Sequence, residues 1–133
     1  MMDWRNYAIY LMAVWIAYFE GYFKPGSLAQ RNRNPGNLRR WGDNPIVNGY
    51  AQFRTHEHGW EALFKQVSKN IDRDLTLLEF FAGKKGVYPG YAPAADRNNP
   101  VKYAEFISQK TGIPLAGITI KSFIDLLNRQ LTN

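Results

Sequence analysis

Apolar and aromatic side chains occupy positions 7–19 without interruption, in "NYAIYLMAVWIAYFEG", and a single carboxylate and a glycine follow. The spacing predicts a helix with Asp3 as its N-cap, running to Glu20 and stopped by Gly21. Tyr7, Tyr10, Leu11, Val14 and Tyr18 share one side, and Ile9, Met12, Ala13 and Ile16 share the other. A helix apolar all round is expected to be enclosed on nearly all sides. Four shorter helical patterns follow. Thr55 is placed to cap a helix carrying Trp60, Leu63, Phe64, Val67 and Ile71 on one face. A capping box of Thr76 and Glu79 opens a short helix through Phe80 and Phe81 to Gly83. Asn99 as cap and Pro100 as first residue start another, which Gly112 ends. The last begins at Thr119 or Ser122 and turns Phe123, Ile124, Leu127 and Leu131 inward.

Between these elements the pattern breaks. Residues 21–45 hold Pro25-Gly26, Asn34-Pro35-Gly36 and Gly42-Asp43-Asn44-Pro45, all turn signals, and read as a long loop. Residues 38–41, Ile46-Val47 and residues 50–53, with Asn48-Gly49 between the last two, predict a small β-hairpin or ribbon. "GKKGVYPGYAPAADRNN" is a second long loop. The expectation is a mainly α (α+β) fold, about five helices and one small hairpin, in a single domain spanning residues 1–133. Long loops in a compact domain are usually functional.

Composition narrows the classes. A run of thirteen apolar residues ending in a carboxylate falls short of the roughly twenty that a membrane span requires. A buried first helix, and no membrane span, is therefore expected, with an anchor or signal remnant as the alternative. No secretory signal is visible either, since Asp3 partly cancels Arg5 and no small-residue cleavage site follows. The absence of cysteine excludes disulfides and thiolate metal sites. Seventeen basic residues against eleven acidic ones give a formal charge of +6, a field that attracts polyanions such as nucleic acid, anionic headgroups or acidic wall polymers.

The one acid at the end of the apolar run is the candidate for chemistry. Burial against Trp15, Phe19 and Phe23 would disfavour its charged form, and so would the partial negative charge of a helix C-terminus. Both effects would raise its pKa, which is what a general acid working near neutral pH requires. The plainer alternative is a helix-terminal Glu in water, or one paired with Arg31 or Arg33.

"FEGYFKPGSLAQRNRNPGNLR" and "GYAQFRTHEHGWEALFKQV" resemble the lysozyme-like lytic transglycosylases of bacteria and phages, and "VYPGYAPAADRNNPVKYAEFISQKTGIP" resembles the later part of such domains. The likeness covers roughly residues 13–114, and "RNRNPGNLR" is its most distinctive stretch. It implies a lysozyme-like fold, no cofactor and cleavage of the β-1,4 bond between N-acetylmuramic acid and N-acetylglucosamine. Glu20 corresponds to the catalytic acid/base. Ser27 matches a serine that bonds the carboxylate or the substrate's acetamido group. Asn37 stands where relatives turn an amide toward the sugar, and Tyr88 or Tyr91 stands for a tyrosine facing the acid. The chain departs from the soluble transglycosylases in its Glu-to-Ser spacing of seven and in having Pro35-Gly36-Asn37-Leu38 where they have Gly-Leu-Met-Gln. The resemblance further implies peptidoglycan strands as partner, a monomer, and a periplasmic, extracellular or phage-delivered protein.

A single acid suffices if the substrate's N-acetyl group stabilises the oxocarbenium-like centre. Ordinary glycosidases instead use two carboxylates, about 5–5.5 or 6.5–9.5 Å apart. Asp43, Glu57 and Asp96 are the candidates for a second, with Asp43 the best placed for a hydrolytic variant. Arg31, Arg33, Arg39 and Arg40 form a basic cluster that would hold an anionic wall polymer or else is a solvated loop face. Nucleic acid is not expected, since no recognition-helix, zinc-finger or RNP pattern is present. His56 and His58 flank Glu57 at a spacing that points the rings apart, so no metal site is expected. Trp41, Tyr50 and Phe53 either line a sugar groove or form the apolar side of the ribbon. The competing functional classes are a non-catalytic wall-binding or virion module of the same shape and, behind it, a basic nucleic-acid-binding domain.

Overall fold

The computed structural model of the chain describes residues 3–132, and the side chains of residues 3–130. Six helices and one two-stranded antiparallel hairpin make it mainly α with a small β element: α1 (Trp4–Phe19), α2 (Leu28–Arg31), β1 (Ile46–Val47), β2 (Tyr50–Ala51), α3 (His56–Asp72), α4 (Leu77–Ala82), α5 (Pro100–Thr111) and α6 (Ile120–Thr132). A 3-10 turn at Ala94–Asp96 interrupts the second long loop. The chain divides into two compact units, residues 10–67 and residues 3–9 with 68–132, and α1 and α3 each contribute to both.

Local chemistry sets the helix ends. Asp3 Oδ1 accepts the Arg5 N–H at 2.9 Å, and Thr55 Oγ1 accepts the His58 N–H at 3.0 Å. Thr76 and Glu79 complete their capping box, and Asn99 caps α5 ahead of Pro100. Thr119, rather than Ser122, starts α6, its Oγ1 accepting the Ser122 N–H at 3.2 Å. The hairpin pairs Ile46 with Ala51 and Val47 with Tyr50 across Asn48-Gly49, both at positive φ (51° and 88°), as a type I′ turn demands.

Two expectations change. Residues 38–41 form no strand; Leu38 instead offers its carbonyl to the Ala51 N–H at 2.9 Å. Helix α1 is not enclosed all round: Met12, Ala13, Ile16 and Ala17 are wholly buried, whereas Tyr7, Tyr10, Leu11, Val14 and Tyr18 are exposed. The helix has one buried face, built from its smaller and aliphatic residues, and its tyrosines lie on the other.

In the unit formed by residues 3–9 and 68–132, Leu75, Leu77, Phe80, Phe81, Tyr103, Ile107 and Ile120 are buried, and Phe81 stacks on Tyr103 at 4.3 Å between centroids. Ile124 of α6 is buried and Phe123 and Leu127 are half-buried, while the side chain of Leu131 lies outside the described residues. Arg5 ties the start of α1 to α3 through Asp72 at 3.0 Å and Ser68 Oγ at 2.9 Å.

Candidate active site

Glu20 is the C-cap of α1. The Gly21 N–H bonds Tyr18 O at 3.1 Å and the Tyr22 N–H bonds Ala17 O at 3.0 Å, with Gly21 at φ +82°. That double bond is a Schellman motif. Its accompanying apolar contact is present too, since Ala17 and Tyr22 are buried together with Ala29, and half-buried Trp60 packs against them. Tyr22 also meets Phe23 and Trp60 edge-on, and its hydroxyl lies 2.6 Å from His56 Nδ1. The glycine turn and the anchored tyrosine fix where the carboxylate leaves the helix. The apolar wall expected around Glu20 is thinner than predicted, because Phe19 and Phe23 are exposed and only Trp15 is half-buried.

The asparagines of "RNRNPGN" divide into two kinds. Asn32 and Asn34 are buried and bond backbone. Asn32 donates to Val47 O at 3.1 Å, and Asn34 donates to both Leu38 O and Ala51 O at 2.9 Å while accepting the Leu38 N–H. Between them they fasten the hairpin to the loop. Asn37 is different. Its backbone sits at φ 48°, a left-handed conformation that asparagine tolerates better than most residues. Its Nδ2 donates to Glu20 Oε1 at 3.0 Å, and its Oδ1 is buried with no hydrogen-bond partner. An unpaired buried acceptor costs about 1–3 kcal/mol, which a ligand's N–H or O–H would recover once a turn of the side chain brought the atom into reach.

Ser27 is the N-cap of α2, its side chain accepting the Gln30 N–H at 3.2 Å. It remains near the helix end, its Cβ lying 4.0 Å from where a Cβ on Gly21 would sit. Tyr50 is half-buried beneath the Arg39 guanidinium, 5.0 Å from the ring centroid. Arg31, Arg33, Arg39 and Arg40 are all exposed, as are Asp43, Glu57 and Asp96.

Tyr88 and Tyr91 belong to the other unit. Tyr88 pairs with Lys84 in an isolated antiparallel bridge and carries Arg73 over its ring at 4.8 Å. Burial pushes its phenol above the usual 10.0, and a hydrogen bond with Asn70 and the charge of Arg73 offset part of the rise. Tyr91 packs against Phe80, Phe81 and Tyr103.

Two features escaped the sequence reading. The Tyr22–His56 bond joins residues 34 apart, and no local pattern announces it. The other is a depression beside α3: Trp41 and Phe53 line it, Tyr50 does not, and the part played by His58, Glu61 and Lys65 of α3 had no mark in the sequence. Among the described residues no helix is long and apolar enough to cross a membrane, and no group of three His, Asp or Glu could hold a metal. No protein-family model, curated protein or solved structure matches the chain.

Proposed function

We propose that the chain is a peptidoglycan-cleaving glycosidase of the lysozyme-like lytic transglycosylase kind, with Glu20 as general acid and base. The observation that carries the reading is the Glu20–Asn37 pair: a carboxylate fixed at a helix end, bonded at 3.0 Å to an amide whose other atom is a buried, unpartnered acceptor. An N-acetylated sugar has the matching group. With the Asn37 amide turned to present Oδ1, the sugar's acetamido N–H would bond it, bringing the C1–O bond toward Glu20 and the acetyl oxygen toward C1.

In the first step Glu20 gives its proton to the bridging oxygen. The C1–O bond breaks and the acetyl oxygen closes on C1. Glu20, now a carboxylate, then takes the proton of the C6 hydroxyl as O6 attacks C1. The acetyl oxygen leaves, a 1,6-anhydro ring forms and the acid is restored. Water in place of O6 would give a reducing sugar. Positioned proton transfer contributes about 10²–10⁴-fold, so Glu20→Gln should lower clearing of purified cell walls by that factor. Mass spectra of the released fragments separate anhydro from reducing ends. Equal clearing by wild type and Glu20→Gln removes the acid from the reaction.

A further inference from the structure

Helix α3 presents a second face besides the one that carries Trp60. His58, Glu61, Ala62 and Lys65 recur at i, i+3, i+4 and i+7 and so line one side. Across from them stand Trp41 and Asn44, from the loop before β1, and Phe53 and Arg54, which follow β2. These residues line an open depression of about 240 Å³. Phe53 and Ala62 are buried and Trp41 half-buried, so part of the lining is apolar. The charged side chains of Arg54, Glu61 and Lys65 complete it.

Those charges are not spent on one another. Among the described residues neither Arg54, Glu61 nor Lys65 takes part in an ion pair, although Glu61 and Lys65 stand one turn apart in the order that favours pairing. Two cations and one carboxylate, all three exposed, therefore border the same open space, with a half-buried indole beside them.

The lining selects among ligands. A phosphate would meet two cations but also the Glu61 carboxylate. A neutral sugar would use the indole face and engage none of the three exposed charges. A group carrying a carboxylate and an ammonium a few ångström apart answers all three and can lay its apolar part on Trp41. The size agrees, since liquid water takes about 30 Å³ per molecule and the depression corresponds to a handful of waters, room enough for a peptide end.

We propose that this depression is a binding site for a short zwitterionic peptide group, its carboxylate held by Arg54 and Lys65 and its ammonium by Glu61. Glu20 is not among the lining residues, so the site does not depend on glycan cleavage.

The test is an amide and indole NMR titration of the full chain with alanyl-alanine, its N-acetyl form, its C-terminal amide and inorganic phosphate. Saturable shifts are expected at the Trp41 indole and along residues 58–65 with the free dipeptide. Each blocked form should bind about tenfold more weakly, the loss of one charge-assisted bond. Glu61→Lys should reverse the preference in favour of the N-acetyl dipeptide, and Arg54→Gln with Lys65→Gln should abolish binding of both. Equal affinity for free and blocked dipeptides overturns the proposal, as does phosphate binding as tightly as the dipeptide, or an absence of shifts. If Glu61→Lys fails to fold, the comparison of free and blocked ligands on the wild type decides alone.

Discussion

Asn37 and Asn34 lie three residues apart in one motif, yet only the first keeps a polar atom uncommitted. Asn34 has both donor hydrogens and its acceptor committed to backbone. Asn37 keeps its acceptor buried and unmatched. Asn37→Gly separates the amide from the backbone, because glycine accepts the φ of 48° without cost. On the proposed mechanism this variant should keep wild-type stability to within about 1 kcal/mol and lose about tenfold or more in wall cleavage, read by turbidity clearing beside thermal unfolding. Wild-type clearing by a folded Asn37→Gly would detach the amide from the site. Tyr88 gives a pH signature in the other unit. Its folded phenol titrates above 10.0 because of burial, so the unfolded chain loses that proton first. Its contribution is intact below about pH 10 and is lost as the pH rises through the folded value. Urea unfolding at alkaline pH should therefore show a steeper fall in stability for wild type than for Tyr88→Phe.

Two glycines govern whole elements, for opposite reasons. Gly21 ends α1 at φ +82°, and a Cβ there would meet nothing closer than 4.0 Å. Space is available, so Gly21→Ala should cost only the left-handed strain, about 1–2 kcal/mol, seen as a melting temperature lower by several degrees. Gly59 sits inside α3, where alanine ordinarily stabilises a helix by about 1 kcal/mol. A Cβ at Gly59 would stand 2.0 Å from the Arg33 carbonyl oxygen and 2.9 Å from Pro35 Cδ. Backbone cannot yield as a side-chain tip can, so Gly59→Ala should be the more damaging change, by about 3 kcal/mol or more if it folds at all. Calorimetry that found Gly59→Ala as stable as wild type would contradict the close seating of α3 on residues 33–35.

At the scale of the molecule the formal charge of +6 acts as a field rather than as a site. Arg31 at the end of α2 and Arg33, Arg39 and Arg40 beyond it are exposed, which suits capture of an acidic wall polymer on the proposed reading. Pelleting with purified walls should weaken as salt rises from low to physiological strength, because the screening length shrinks to about 8 Å. Neutralising Arg31, Arg33, Arg39 and Arg40 together should flatten that dependence. Salt-independent pelleting would assign them to solvent alone.

The sequence by itself determined the punctuation: the caps at Asp3, Thr55, Thr76 and Asn99, the glycine stop at Gly21 and the Asn48-Gly49 hairpin turn all stand where local rules put them. Each rests on hydrogen bonds or φ preferences within about four residues, so neighbours in sequence carry the whole signal. The one-turn helix α2 was hidden by its brevity among turn residues, although Ser27 was there to cap it. Only the tertiary structure decided which face of α1 is buried, which asparagine keeps a spare acceptor beside Glu20, and that Trp41 and Phe53 meet α3 around a depression. A uniformly apolar helix carries no sequence mark for the face that finds a partner, and an amide's bonding is set by carbonyls far along the chain.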